Sequence, residues 1–133
     1  MSDINALRHI MDLQYQRAQT DLGKIVEREN ALRAKLTKLD RQEALAQTHE
    51  PGNAPMRTIG ADIVWLGWLG RMREALNTEL AMLLAQKEGH LARVRKAHGK
   101  SLVAQRLGEQ ETKRQAAMRH AKALQRAIDQ SMW

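Results

Sequence analysis

The chain has 133 residues, a formal net charge of +7 and no cysteine. It contains three Trp, one Tyr and no Phe, and residues that favour helices dominate its composition. Disulfides, thiolate catalysis and cysteine-based metal sites are therefore excluded, and an ordinary compact globule is not expected.

The N-terminus, Met-Ser-Asp-Ile-Asn, does not resemble a secretion signal, because no basic stretch followed by an apolar run is present. The longest apolar stretch, 59–69, is too short to cross a bilayer and contains Asp62. We expect a soluble protein of the cytoplasm.

The first predicted element is a helix over residues 3–48, with Ser2 and Asp3 as its N-cap and first-turn acid. Apolar or small residues recur at steps of three and four, which is typical of a coiled-coil seam. These residues are Ile4, Leu7, Met11, Ala18, Leu22, Ile25, Leu32, Leu36 and Leu39, with Gln14 and Glu29 as polar members. The step from Ala18 to Leu22 breaks the alternation and predicts a stutter.

A break over residues 49–58 contains both prolines of the chain, Pro51 and Pro55, with a Gly-Asn pair between them. A continuous helix cannot pass through this sequence, so the chain should fold back on itself. We predict an all-α fold, a single antiparallel coiled-coil hairpin over 1–133 whose second helix, about 59–130, is the longer.

The second arm carries a similar seam, with a stutter between Lys87 and Leu91. Its members are Leu66, Leu69, Arg73, Leu76, Leu80, Leu83, Lys87, Leu91, Val94, His98 and Leu102. If the two stutters lie at the same height, residue i faces residue 108 − i, so that Ile25 faces Leu83. Residues 106–133 would then have no partner helix, and Gly108 is either a bend at this boundary or a tolerated surface glycine.

A cluster of apolar residues at the start of the second arm exceeds what one partner helix can cover. It consists of Trp65, Trp68, Leu69 and Met72. Trp is enriched at binding hot spots, so we predict a partner-binding surface at the hairpin tip. Stapling of the turn, a homodimer contact and insertion into a membrane interface are the alternatives.

The C-terminal quarter is strongly basic, since residues 100–133 contain seven Lys or Arg and three Asp or Glu. A basic helix end suits an acidic partner, so this end is predicted to be a second binding surface. Its residues are Arg106, Lys113, Arg114, Arg119, Lys122 and Arg126. A frayed tail or a dimer contact is the alternative.

No catalytic, cofactor-binding or metal-binding residue is predicted. The sequence Gly99-Lys100-Ser101 lacks the earlier glycine of a phosphate-binding loop, because Val94 stands at that position. No two histidines are spaced i, i+4, and a two-helix hairpin offers no cleft. We expect a protein that is not an enzyme and has no small-molecule substrate or cofactor.

The unequal arms and three local stretches resemble the FliJ/YscO family of flagellar and type III secretion export stalk proteins. These stretches are the first arm from Leu7 to Leu39, the sequence Val64-Trp65-Leu66-Gly67-Trp68-Leu69, and residues 93–102 followed by the charged residues 109–114. The resemblance covers nearly the whole chain.

The resemblance implies a coiled-coil connector between a hexameric export ATPase and a membrane export-gate protein, with export chaperones as further candidate partners. It implies a cytoplasmic location beside a membrane-embedded export apparatus. Trp65, Trp68, Leu69 and Met72 match the part of the family that faces the gate. The basic residues match the end that faces the ATPase only in their charge.

Two other functions fit the sequence. A self-associating structural coiled coil would dimerise through the Trp cluster. A basic helical nucleic-acid-binding protein would align its cations on one face, whereas the cations of the second arm surround the helix and the first arm is nearly neutral, so nucleic acid is not an expected partner.

Overall fold

The computed structural model describes residues 2–48 and 56–132, and over these it is an all-α helical hairpin. Helix α1 spans Ser2–Thr48 and helix α2 spans Met56–Ser131. The prediction of two helices with the second one longer is confirmed. Most of the predicted turn, 49–55, lies outside the described residues, while 56–58 belong to α2.

The chain divides into two compact units, each built from a part of α1 and a part of α2. The middle unit is Asp21–Leu91, and the terminal unit combines Met1–Thr20 with Ala92–Trp133. Each unit is described separately below.

The middle unit contains the hydrophobic core of the chain. Leucine and isoleucine side chains from both helices meet along a narrow stripe, as expected for a two-helix coiled coil. The buried members are Ile25, Leu32, Leu39, Leu69, Leu76, Leu80 and Leu83, with Leu36, Leu66 and Leu84 packed against them. All of the buried members, and Leu36 and Leu66, are predicted seam residues, whereas Leu22 and Leu91 of the predicted seam are not part of this cluster.

Charged side chains cross the same stripe and link the two helices. Glu29 is only 8% exposed. The Lys87 ammonium donates a hydrogen bond of 2.7 Å to Glu29 Oε1, and Arg33 Nε donates one of 2.9 Å to Oε2. These two donors, Lys87 foremost, hold the pKa of the Glu29 carboxyl below its ordinary value.

A second cross-helix cluster surrounds Arg73. Its guanidinium donates to Glu43 and, at 2.8 Å, to Asp40 Oδ1. The bond to Glu43 is the main reason why the pKa of Arg73 lies above its ordinary value. The polar residues of α1 near the turn are thus ion-pair partners for α2.

The terminal unit packs small residues of α2 against larger ones of α1. Ala104 is 2% exposed, and Gly108 is buried beneath the Arg8 side chain. A Cβ atom at Gly108 would lie 2.7 Å from Arg8 Cδ, so this glycine permits a close approach of the side chain. The helix continues through Gly108, which is therefore not a bend.

Two side-chain contacts between the helices, a hydrogen bond and a ring contact, fix the pairing within this unit. Ser101 Oγ donates a hydrogen bond of 2.6 Å to Asp12 Oδ1. The Tyr15 and His98 rings lie 4.9 Å apart at an angle of 31°. His98 is exposed, so it contacts Tyr15 from beside the seam instead of occupying it as predicted.

The observed register differs from the prediction. Facing residues add up to 113 for Asp12 with Ser101 and for Tyr15 with His98, and to 116 for Glu29 with Lys87, in place of 108. The sums exceed 108 by 5 to 8, about one heptad, which in the middle unit leaves the predicted leucine and isoleucine positions in the seam. Heptad spacing alone therefore could not distinguish the two registers.

The two predicted stutters are also wrong. Among the less exposed positions of α1, those at 4, 8, 11, 15, 18, 22, 25, 29, 32, 36 and 39 follow alternating steps of four and three without a stutter. The corresponding positions of α2 are 66, 69, 73, 76, 80, 83, 87, 90, 94, 97, 101, 104, 108, 111 and 115. Arg8 and Tyr15 occupy the seam in place of Leu7 and Gln14, and Ala97 and Ser101 replace His98 and Leu102.

The corrected register moves the start of the unpaired segment. Ile4 and Asn5 border a small groove together with Glu111, Thr112 and Gln115, so α1 still accompanies α2 there. Every residue of 116–132 is exposed. The helix without a partner within the described chain therefore begins at about residue 116, not at 106.

Replacing Leu69 with Ala should destabilise the fold by about 2–5 kcal/mol, because Leu69 is 1% exposed and its removal leaves a cavity in the core. Val64→Ala, five residues earlier on the same helix, is the control and should change stability by less than about 0.5 kcal/mol, since Val64 is 68% exposed. Urea unfolding measures both. Equal losses would contradict the assigned core.

Replacing Glu29 with Gln should reduce the acid sensitivity of the fold. Because its pKa is lowered in the folded state, the Glu29 carboxylate stabilises the fold above the ordinary value of 4.5, and this contribution disappears as the pH falls through the lowered pKa. The variant should be less stable than the parent at about pH 7 and should lose less stability on going to about pH 3.

The matched control for this comparison is Glu88→Gln, which alters an exposed carboxylate of α2. Its pH dependence in urea unfolding should follow that of the parent chain. If the Glu29 variant also followed the parent, the bridge between Lys87 and Glu29 would not stabilise the fold.

Candidate partner-binding surfaces

The middle unit presents an exposed aromatic surface near the start of α2, here called the tryptophan surface and consisting of Trp65, Trp68 and Met72. The two indoles stack with centroids 5.1 Å apart and planes 15° apart. Their exposed fractions are 42% and 41%, and that of Met72 is 38%. Large apolar side chains that stay this exposed are available for contact with a partner.

Leu69 does not belong to this surface. The sequence grouped it with the two tryptophans, but it is the most deeply buried large side chain of the core. It lies on the side of α2 that faces α1, whereas Trp65, Met72 and Trp68 are rotated from it by about 40°, 60° and 100° around the helix. Leu69 therefore belongs to the core and offers no contact area.

An open groove borders the tryptophan surface. Gly60, Ala61 and Val64 line it together with the two indoles, and Arg71 is its charged member. Small residues beside large aromatic ones create this concavity on a single helix. The groove can receive an apolar side chain of a partner, with a cation beside it.

The six predicted basic residues do not form one patch. Arg106, Lys113 and Arg114 lie where α1 still accompanies α2, whereas Arg119, Lys122 and Arg126 lie in the exposed segment 116–132. We call the latter three the basic segment.

Arg114 is already paired within the chain. Its guanidinium donates to both carboxylate oxygens of Glu111, at 3.0 and 3.1 Å, and this pairing holds the pKa of Glu111 below its ordinary value. An acidic partner therefore has less to gain from Arg114 than from the three cations of the basic segment.

Sequence reasoning missed an apolar groove in the terminal unit. Leu7 and Met11 from α1 line it together with Val103 and Leu107 from α2, and Lys100 lies at its rim. Assigning Leu7 to the seam concealed it, since Leu7 is in fact 38% exposed. The detectable signal was the pair Val103 and Leu107, which lies one position away from the heptad seam.

The part of the chain that the structure describes contains no group of three His, Asp or Glu side chains that could hold a metal ion. Over the same residues, neither helix has a stretch long and apolar enough to cross a membrane. Comparison of the chain with protein-family models, with curated proteins and with solved structures gives no match.

Proposed function

We propose that this chain is a non-enzymatic coiled-coil connector of a flagellar or type III export apparatus, placed on the cytoplasmic side of the membrane. It would link the export ATPase ring to the export-gate protein. The observation that carries the proposal is the presence of two chemically different exposed surfaces, one in each unit of a helical hairpin.

The tryptophan surface is the proposed contact with the export gate. Two stacked indoles bury a large area on binding at a small cost in side-chain entropy, and such residues dominate many interfaces. Their exposed fractions of 41–42% leave much of each ring available. The resemblance to export stalk proteins assigns this part of α2 to the gate.

The basic segment is the proposed contact with the ATPase. Arg119, Lys122 and Arg126 are exposed, and the adjacent Asp129 accepts a hydrogen bond of 3.1 Å from Gln125. Cations of this kind favour association with an acidic protein surface and accelerate it. The corrected register makes residues 116–132, and not the whole of 106–133, the segment that α1 leaves exposed.

Two altered chains, one truncated and one with a double substitution, should separate binding to the cognate export ATPase from binding to the gate protein. A chain ending at Gln115 should lose the ATPase and keep the gate. The double variant Trp65→Ala with Trp68→Ala should keep the ATPase and weaken gate binding by about tenfold or more, as expected for hot-spot residues. Pull-down followed by titration calorimetry measures both.

Met82→Ala is the matched control, because Met82 is also exposed, at 64%, and lies on α2 away from the tryptophan surface. It should bind both partners like the parent chain. If the full-length chain bound neither the export ATPase nor the gate protein, the proposal would be overturned. A stable dimer that dissociates in the double Trp variant would instead identify the tryptophan surface as a self-association site.

A further inference from the structure

Helix α2 carries a second apolar stripe beside its seam. The seam positions of the terminal unit include Ala104 and Gly108, and the second stripe begins one position earlier, at Val103 and Leu107. One position corresponds to about 100° around a helix, so this stripe lies on a different face from the one that α1 covers. Val103 and Leu107 are 58% and 42% exposed.

The stripe continues into the unpaired part of α2. Steps of three and four lead from Leu107 through the polar Gln110 and Arg114 to a further apolar run. This run consists of Ala117, Ala121, Leu124 and Ile128. Leu124 and Ile128 are 55% and 44% exposed, while the positions that continue the seam include Lys122 and Asp129. Past residue 115 the apolar face of α2 is therefore the second stripe.

Helix α1 contributes a wall to this surface. Leu7 and Met11 line a groove with Val103 and Leu107, so the start of the stripe lies in a groove between the two helices. A groove of this kind, continued by apolar residues at steps of three and four, matches the apolar face of an additional helix.

The charges around the stripe define the helix that fits. Residues 100–132 contain seven Lys or Arg and three Asp or Glu, and one of these acids, Glu111, is already paired with Arg114. Lys100 lines the groove, and Arg106 and Lys113 lie beside the first half of the stripe, whereas Arg119, Lys122 and Arg126 lie on the opposite side of α2. A second copy of this chain would bring like charges together, whereas an acidic helix would be attracted.

We propose that this second stripe binds an amphipathic helix of a partner protein whose apolar face is flanked by Asp and Glu. The inference deepens the proposed function, on which it rests, because it states the chemistry of a partner that binds the C-terminal part of α2. It places that contact on the apolar stripe from Val103 to Ile128, on a different side of α2 from the basic segment.

The probe is a synthetic helical peptide about four heptads long, with Leu on one face and Glu on the others, tested against a matched peptide in which Lys replaces Glu. The full-length chain should bind the Glu peptide and not the Lys peptide in fluorescence anisotropy. Leu124→Glu should weaken this binding by about tenfold or more. Met118→Glu should have a much smaller effect, because Met118, 49% exposed in the same segment, lies off the stripe.

Equal effects of the two substitutions, or no binding of the Glu peptide, would overturn the inference. So would a dimer in sedimentation that Leu124→Glu dissociates, which would make the stripe a contact between copies. Binding to phosphatidylserine-containing vesicles that Leu124→Glu abolishes, without binding of the Glu peptide, would identify a lipid surface instead.

Binding of the export ATPase tests this inference and the proposed function separately. If the ATPase bound the parent chain and the Leu124→Glu variant equally, the proposed connector function would be kept and the proposed binding site on the second stripe would be overturned. If the Glu peptide bound as expected and the ATPase did not bind, the binding site on the second stripe would be kept and the proposed connector function would be overturned.

Discussion

The structure depends on the charged contacts that cross the seam between the two helices. An apolar seam repeats every heptad, so sliding one helix by a heptad preserves most of its packing. The bond from Lys87 to the nearly buried Glu29, and those from Arg73 to Asp40 and Glu43, would be lost by such a slide. After such a slide Glu29 would keep Arg33 of its own helix as a donor but lose its cationic partner on α2, which is costly at a nearly buried position. The ion pairs therefore select one register among those that the leucines permit.

The hairpin itself could be predicted from the sequence because its causes are local. Two prolines within five residues interrupt the interior of a helix, and helix-forming residues on both sides require no tertiary information. The register depends on side chains far apart in sequence, which periodicity cannot pair. The predicted stutters arose from treating Gln14 and Leu91 as seam residues, whereas Tyr15 and His90 continue the alternation of three and four.

The candidate surfaces were predictable to the extent that they follow from one helix. A helical wheel places Trp65 and Trp68 beside the seam and predicts their exposure. The sequence placed Leu69 both in the seam and in the binding surface, and its burial agrees with the seam alone. The second stripe could not be predicted without the observed seam. Val103 and Leu107 are recognised as apolar residues outside the seam only once Ala104 and Gly108 are known to face α1.

The register is the central claim, because both the extent of the exposed segment and the second stripe follow from it. The chain has no cysteine, so pairs of cysteines can be introduced without background. Asp12→Cys with Ser101→Cys should form a disulfide rapidly under mild oxidation, as the parent side chains lie 2.6 Å apart. Leu7→Cys with Ser101→Cys, which the register of 108 would bring together, should not. Efficient cross-linking of the second pair and none of the first would contradict the account.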